Sequence, residues 1–305
     1  MPNISKLILY ASYQVGENLP GYVRFALKHL AETDFHVVLL TNKRNLSKAT
    51  QDFLKDNKIE LFLTENRGFD FGMWRRYLKS HTAHGLQNLE RLLLVNDSIV
   101  YYRDNFKDFI GRAEECVADV VSLTENCEVR YHLQSFFLYV KRPALGAVFL
   151  HIMETPEQGD FYNVVRKLEI GLSETFEEAE SQMDSLFHTR RNALFAYPEL
   201  IRQGAGFIKR KLLQRRFGFK EKAFFIRHKG YESLNANYHK MIMAAGLAPD
   251  FKEEWLPSPL EGPLGRAADF LWEKPFQIVG WPLLKTAIKA KYKILGKKLE
   301  GEEYG

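Results

Sequence analysis

The feature that most constrains the fold of this chain is a short apolar segment that stops at three small polar residues. The segment spans residues 91–98 and reads RLLLVNDS. An apolar run with no polar face is typical of a strand buried on both sides, as in the middle of a parallel sheet. Ligands of open α/β sheets bind at the carboxyl ends of such strands, so we expect Asn96, Asp97 and Ser98 at the mouth of a cleft. A carboxylate there suits a cation or a sugar hydroxyl, although Asn-Asp-Ser is also ordinary turn chemistry.

Strands and helices alternate before this segment. The predicted strands span residues 7–11, 36–40 and 59–63, and the predicted helices span residues 22–30 and 46–54. Continuous apolar runs mark the strands, and apolar residues at helical spacing mark the helices. This β-α-β-α-β order is typical of the start of a nucleotide-binding, doubly wound sheet.

The same pattern continues after the apolar segment. A helix is predicted at residues 106–117, and strands are predicted at 120–124 and 136–140. Pro143 suits the first turn of a further helix. Residues 160–187 read as helical and acidic, with a break only at Gly171-Leu172-Ser173. The predicted fold class is therefore α/β, with a Rossmann-like, doubly wound mixed sheet flanked by helices and a basic, helical C-terminal extension.

A glycine-containing turn is predicted between the third strand and the apolar segment. Gly68 and Gly72 flank Asp70 there, and glycine allows a tight turn or the close approach of a ligand. The helix that follows carries Phe71 and Trp74 on one face, and we expect Trp74 in the core. Asp70 is either a ligand for the ribose or base of a nucleotide or a cap for this helix.

Composition excludes several classes of protein. With 305 residues and 46% hydrophobic content, the chain can bury one large domain, or one domain and a smaller appendage. No apolar stretch reaches the ~18 residues of a membrane span, and the N-terminal residues do not resemble a signal peptide. Cys116 and Cys127 are too few for a disulfide framework or a zinc site. We therefore expect a cytoplasmic protein.

The net charge of +5 is concentrated in the last third of the chain. Basic and aromatic residues are interleaved at 209–229, a pattern that can bind nucleic acid. No nucleic-acid fold signature accompanies it, so we expect no nucleic-acid partner and favour another polyanion, either an anionic lipid or a diphosphate. Residues 275–299 combine apolar anchors with lysines. They are predicted to dock on an anionic membrane surface at the inner face of the membrane, or else to pack on the catalytic domain.

Motifs in a fixed order carry a resemblance to a known family. They are ENRGFDFG at residues 65–72, VNDS at 95–98, HLQSFF at 132–137 and EIGLS at 169–173. Together they resemble the motifs of the rhamnan synthesis protein F family over about residues 1–190. The basic C-terminal part of the chain resembles the family less.

The resemblance implies a function. The family is similar to the GT-A glycosyltransferases of bacterial polysaccharide assembly, which move a sugar, often rhamnose, from a nucleotide diphosphate to a growing glycan. It implies a GT-A-like domain at residues 1–205, with a basic, mostly helical region at 206–305. The implied donor is a nucleotide-diphosphate sugar such as dTDP-rhamnose, and the implied acceptor is lipid-linked or a polysaccharide. The rival hypothesis is a non-catalytic module that binds a nucleotide sugar or a glycan.

The resemblance also implies roles for individual residues. The donor is expected to bind Tyr10, Ser12, Asn66, Arg67, Gly68, Asp70, Asn96 and Ser98. The acceptor or its sugar is expected to bind His132, Gln134 and Ser135, and the expected catalytic residues are Asp97 and Glu169.

Asp97 is also the candidate metal ligand. Many GT-A enzymes hold a divalent cation with an Asp-x-Asp motif, whereas residues 96–98 supply one carboxylate. Mg²⁺ or Mn²⁺ bound at Asp97 would neutralise the leaving diphosphate. The alternative is that cationic side chains do so. The candidates for that role are Arg67, Arg75, Arg76 and the cluster at residues 209–211.

Glu169 is the candidate general base. An inverting sugar transfer needs a carboxylate that takes the proton of the acceptor hydroxyl. The apolar residues after Glu169 favour a position against the core, while the alternative is a solvated carboxylate on a helix. Asp70 and Glu17 are the substitutes for this role.

Overall fold

The computed structural model describes residues 4–81, 86–127, 129–189 and 192–213. The chain divides into two compact units, and the second, residues 214–232 and 252–305, lies outside the described residues. The basic segment beyond residue 213 and the predicted membrane-docking segment at 275–299 also lie outside them. Within the described part of the chain, no helix is long and apolar enough to cross a membrane.

The described residues form the following elements. The strands are β1 Lys6–Ser12, β2 His36–Thr41, β3 Glu60–Leu63, β4 Arg91–Asn96, β5 Ile99–Tyr101, β6 Val120–Asn126, β7 His132–Leu133, β8 Phe137–Lys141, β9 Met183–Phe187 and β10 Phe207–Lys209. The helices are α1 Gly21–Ala31, α2 Lys48–Asp56, α3 Phe69–His81, α4 Phe106–Glu115, α5 Arg142–Glu154, α6 Phe161–Asn163, α7 Gly171–Glu178 and α8 Ala193–Arg202. A π-helix, Val164–Ile170, joins α6 to α7, and a 3₁₀-helix, Arg210–Leu213, follows β10.

The main sheet is mixed, as predicted. Its strand order is β3-β2-β1-β4-β8-β6, and both β7 and β9 pair with β6. The pairs among β1, β2, β3 and β4 are parallel, whereas β8 is antiparallel to β4 and to β6. The carboxyl ends of β1 and β4 therefore meet at one edge, where Ala11 is in register with Asn96. A separate two-stranded ribbon pairs β10 with β5 in antiparallel fashion.

The apolar runs of β1 and β4 are buried on both faces. Leu9 and Leu94 are in register at the centre of the sheet, and neither is exposed. Helices α3 and α5 cover one face of the sheet, where Trp74 of α3 and Val148 of α5 belong to the same core as the two leucines. Trp74 is fully buried, as predicted, and its indole Nε1 donates to the carbonyl of Leu9 at 3.2 Å. Each leucine buried in this way contributes about 1.5–3 kcal/mol to the free energy of folding.

The prediction for residues 160–187 is wrong in two respects. The helical segment does not break at Gly171, because α7 begins there directly after the π-helix. A Cβ on Gly171 would lie 3.1 Å from Cε1 of His151, so this glycine serves the packing of α7 on α5. Residues Met183–Phe187 form β9, which pairs in parallel with β6 instead of continuing a helix. The predicted helix at 106–117 ends earlier, at Glu115.

The predicted turn at Gly68 is present and opens α3. Gly68 has a φ of 75° and Phe69 a φ of 56°, both in the left-handed region. The N–H of Gly72 then donates to the carbonyl of Gly68 at 2.8 Å. A Cβ on Gly72 would lie 1.9 Å from the carbonyl oxygen of Arg67. The glycine at position 72 is therefore required by the backbone of the turn itself.

Replacing Gly72 tests this account of the turn. Because the backbone of Arg67 would have to move, we expect Gly72→Ala to lower the free energy of unfolding by about 1–3 kcal/mol. Gly146→Ala is the matched control, since nothing lies within 4 Å of a Cβ at that exposed position of α5. Alanine is the better helix former, so the control should be neutral or stabilising. Urea unfolding measures both, and an unchanged midpoint for Gly72→Ala would contradict the steric argument.

Candidate functional site

A cleft of about 710 Å³ lies at the carboxyl ends of β1 and β4. Most of the predicted site residues line it, and these are Ser12, Asn66, Asp70, Asn96, Asp97, Ser98, His132, Gln134, Ser135 and Glu169. Residues far apart in the sequence thus meet in one place, as expected for the edge of an open α/β sheet.

Three predicted donor-binding residues do not line the cleft as the described residues define it. Tyr10 is fully buried, and its hydroxyl has no hydrogen-bond partner in the described part of the chain. The Arg67 side chain is 74% exposed and binds Glu157 through Nε at 2.6 Å. Gly68 forms the turn before α3.

The arginines of α3 are engaged in holding the fold together. Arg75 donates to the carbonyls of Met153 and Thr155, both at 2.6 Å. Arg76 donates to Glu157 Oε1 at 2.8 Å. Neither arginine lines the cleft. Of the predicted cationic candidates, Lys209 and Arg210 do line it.

Asn96 organises the turn that follows β4. Its Oδ1 accepts from the backbone N–H of Ser98 at 3.1 Å and from the Ser98 hydroxyl at 2.6 Å. Its Nδ2 donates to Asp70 Oδ2 at 2.5 Å. The interpretation as turn chemistry therefore holds for Asn96 and Ser98, and the same turn also presents both residues to the cleft.

Asp97 forms an ion pair with Arg210. Asp97 Oδ2 accepts from the Ser12 hydroxyl at 2.9 Å and lies 3.2 Å from Nη1 of Arg210. The same Nη1 also donates to the hydroxyl of Tyr22 at 2.8 Å. Burial raises the pKa of Asp97, and the charge of Arg210 and the hydrogen bond from Ser12 offset part of that rise. The carboxylate predicted to bind a metal is thus already compensated by a side chain of this protein.

Glu169 lies in the cleft with two polar partners. Ser135 Oγ donates to Glu169 Oε2 at 2.6 Å, and Nε2 of His132 lies 3.6 Å from Glu169 Oε1. Nδ1 of His132 lies 2.8 Å from the carbonyl oxygen of Arg130, which can only accept, so Nδ1 carries a proton. With 18% of its side chain exposed, Glu169 is not a solvated helix carboxylate.

The surroundings of Glu169 keep it ionised. Burial raises the pKa of Glu169, but the nearby His132, the charge of Lys209 and the hydrogen bond from Ser135 outweigh it and leave the pKa below its ordinary value. A carboxylate of this kind can accept a proton at neutral pH.

A π-helix carries Glu169. Val164–Ile170 is wound more widely than an α-helix, and such turns are frequent at functional sites. His151 of α5 supports it, because its Nε2 donates to the carbonyl of Leu168 at 3.2 Å. The π-helix was not predicted from the sequence, which carries no local pattern that distinguishes it from an α-helix.

Asp70 lies in the first turn of α3 and lines the cleft. Its Oδ1 accepts from the N–H of Phe71 at 3.0 Å, and its Oδ2 binds Asn96. Burial raises the pKa of Asp70 to about 6, and the charge of Glu169 adds to the rise while the Asn96 hydrogen bond opposes it. Asp70 therefore lies in the cleft, where a nucleotide ligand was expected, and it is not the cap of the helix, because α3 begins one residue earlier at Phe69.

Gln134 is held by structural contacts. Its Oε1 accepts from Thr124 Oγ1 at 2.9 Å and from the N–H of Ala193 at 3.0 Å. These bonds tie the start of α8 to β6. Glu17, a substitute for the base, is exposed and does not line the cleft.

Within the described residues, one group of side chains outside the cleft could hold a cation. His29, Glu32 and Asp104 each offer a ligand atom within 4.8 Å of the others. His29 Nδ1 lies 3.0 Å from Asp104 Oδ2, so these residues also pair with one another. None of them lines the cleft. In the cleft, Arg210 already compensates the charge of Asp97 from 3.2 Å, so the fit of this single carboxylate to a metal ion is poor.

The sequence matches the pattern of a protein family. The match to rhamnan synthesis protein F covers residues 37–244, more than half of the chain. The chain therefore belongs to the rhamnan synthesis protein F family, as its motifs predicted, and so to the proteins of polysaccharide biosynthesis. No curated protein matches the sequence.

Several solved structures resemble the fold at low sequence identity. A cytidylyltransferase from Leptospira borgpetersenii is 14% identical, with 62% of this chain and 77% of that chain covered and a TM-score of 0.37. A 4-diphosphocytidyl-2C-methyl-D-erythritol synthase from Anaerococcus prevotii is 11% identical, with 60% and 87% covered and a TM-score of 0.39. A glycosyltransferase involved in glycosylation of the major capsid of PBCV-1 is 13% identical, with 67% and 94% covered and a TM-score of 0.36. At these values the structures indicate nothing about activity.

The raised pKa of Asp70 predicts a pH dependence of stability. Because folded Asp70 keeps its proton to about pH 6, the folded state binds more protons than the unfolded state between about pH 4 and 6. This residue therefore makes stability fall as pH rises through that window, by about 1–3 kcal/mol. We expect Asp70→Asn to gain stability relative to the wild type between pH 4 and 7 in urea unfolding experiments. If the free energies of unfolding of the two proteins changed with pH in the same way, the raised pKa of Asp70 would be contradicted.

Proposed function

We propose that the protein is a GT-A-like glycosyltransferase that moves a sugar from a nucleotide-diphosphate donor to a glycan or lipid-linked acceptor. The observation that carries this proposal is Glu169, an ionised and partly exposed carboxylate in the cleft at the carboxyl edge of the sheet. Family membership supports a role in polysaccharide synthesis. Rhamnose is the sugar, and dTDP-rhamnose the donor, that this membership favours.

The proposed reaction is a single displacement with inversion at the anomeric carbon. Glu169 takes the proton of the acceptor hydroxyl as the oxygen bonds to that carbon. The bond from the carbon to the diphosphate oxygen breaks at the same time, and the nucleoside diphosphate leaves with the electron pair. At the end of this step the Glu169 carboxylate carries the proton of the acceptor hydroxyl, so protons and electron pairs balance.

Hydrogen bonds around Glu169 suit it to this role. The hydroxyl of Ser135 fixes one carboxylate oxygen at 2.6 Å. The other oxygen faces His132, whose orientation is set by the bond of its Nδ1 to the Arg130 carbonyl. Holding a base in one geometry lowers the entropy cost of proton transfer. In this proposal His132 and Ser135 are positioning residues for Glu169, and they stand where an acceptor sugar would enter.

The donor is proposed to bind across the ends of β1 and β4. Ser12, Asn96 and Ser98 present hydroxyl and amide groups to the cleft there, and Asp70 lies beside them. Asn66 lines the same cleft at the turn before α3. These are groups that hydrogen-bond the hydroxyls of a ribose or a sugar. From their sequence alone, the basic residues beyond 213 are proposed to provide a surface for a lipid-linked acceptor.

The isosteric change of Glu169 tests the role of the base. Glu169→Gln keeps the shape of the side chain and removes its ability to accept a proton. We expect transfer from a panel of nucleotide sugars, followed as nucleoside diphosphate release, to slow by about 10²–10⁴-fold with donor affinity nearly unchanged. The matched control is Glu178→Gln, an exposed carboxylate of α7, which should retain the wild-type rate.

Two outcomes would contradict the proposal. If donor affinity collapses in Glu169→Gln while the rate per bound donor is kept, Glu169 is a binding residue. If the wild type binds nucleotide sugars but transfers none of them to glycan or lipid-linked acceptors, the protein is a binding module without catalysis.

A further inference from the structure

We infer that Lys209, with Arg210 beside it, forms an oxyanion site that binds the diphosphate of the donor without a divalent cation. This inference deepens the proposed function by naming the groups that bind the leaving group, and it rests on that function. The sequence left open whether a metal at Asp97 or cationic side chains do this work.

Lys209 is a cation without a partner of opposite charge in contact. Among the described residues, its Nζ forms no hydrogen bond or salt bridge, and it lies over the ring of Phe136, 4.1 Å from the ring centroid. The residue is partly buried in the wall of the cleft. An ammonium group removed from water and left unpaired is costly, and an anion bound beside it would remove that cost.

The electrostatic surroundings of Lys209 agree with this interpretation. The pKa of Lys209 is lowered to about 8, chiefly by burial; the charges of Glu169 and Asp70 oppose this shift, and those of Arg210 and Lys211 add to it. The two carboxylates act from a distance, because neither lies within 4.0 Å of Nζ in the described structure. An ammonium whose pKa is depressed in an empty site takes up protons when an anion binds.

Arg210 neutralises Asp97 and leaves it a poor cation ligand. Nη1 of Arg210 lies 3.2 Å from Asp97 Oδ2, and the Ser12 hydroxyl binds the same oxygen. The backbone fixes this arrangement, since the N–H of Arg210 donates to the carbonyl of Ser98 at 2.8 Å. Breaking a buried pair to admit a metal would leave a guanidinium uncompensated.

The ribbon of β5 and β10 brings both cations to the cleft. Lys209 is the last residue of β10 and is in register with Ile99, while Arg210 begins the 3₁₀-helix. Both side chains line the same cleft as the turn at the end of β4. Asp70, Asp97 and Glu169 also line it, so a diphosphate is expected to bind mainly at Lys209, which no carboxylate contacts in the described structure, whereas Asp97 already compensates Arg210.

Calorimetric binding of dTDP to the full-length protein in EDTA tests the site. We expect the wild type to bind dTDP under these conditions, and Lys209→Met to bind it about 10–100-fold more weakly, as for the loss of a charge-assisted hydrogen bond. Methionine keeps an unbranched apolar stem against Phe136. Lys211→Met removes an exposed charge next to the site and is the matched control, for which we expect less than a threefold change.

A second readout separates a phosphate-binding lysine from a structural one. The number of protons taken up on dTDP binding follows from binding enthalpies measured at pH 8 in two buffers of different ionisation enthalpy. For the wild type we expect uptake of a fraction of a proton, because the bound anion raises the pKa of Lys209. The uptake should disappear in Lys209→Met and persist in Lys211→Met. Thymidine, which lacks the diphosphate, should show none.

The failures of the two proposals differ. Binding of dTDP by Lys209→Met at wild-type affinity, or wild-type binding only after Mg²⁺ or Mn²⁺ is added, would overturn the oxyanion site and leave the role of Glu169 intact. Normal dTDP binding and proton uptake without any sugar transfer would overturn the proposed function and leave the anion site standing.

Discussion

Charge compensation at the carboxyl edge of the sheet is the interaction on which the rest of this site depends. Carboxylates from three separate parts of the chain, Asp70, Asp97 and Glu169, line one cleft. Left unpaired, they would repel one another and resist burial. Arg210 pairs with Asp97, and Lys209 acts on the other two. The fold can therefore hold these carboxylates in one cleft, because β10 brings Lys209 and Arg210 to the sheet edge.

Backbone constraints set the positions of these charges. The carbonyl of Arg67 approaches position 72 so closely that only glycine fits, and this contact fixes the start of α3 and thus Asp70. On the opposite wall, the π-helix and the glycine at position 171 set the position of Glu169. Both constraints hold carboxylates at defined points beside the sheet, as a preorganised site requires.

Much of the fold could be predicted from the sequence, because it depends on local patterns. The apolar run at β4 required burial on both faces, and Trp74 lay at helical spacing, so both predictions are confirmed. Contacts between distant residues could not be predicted. The pairing of β9 with β6 depends on packing that overrides the acidic, helical character of that segment. The Arg210 partner of Asp97 was named only as part of a basic cluster, since nothing in the sequence shows that β10 pairs with β5.

The pH dependence of kcat/KM for sugar transfer tests most directly whether Glu169 is the base. This ratio reports the groups that titrate in the free enzyme. The pKa of Glu169 is lowered by its partners and that of Lys209 lies at about 8, so the profile should be flat from about pH 5 to pH 7, fall to about half near pH 8 as Lys209 loses its proton, and fall also at acid pH. Because burial raises the pKa of Asp70 to about 6, an acid limb centred near pH 6 that persists in Glu169→Gln would contradict the account and assign the base to Asp70.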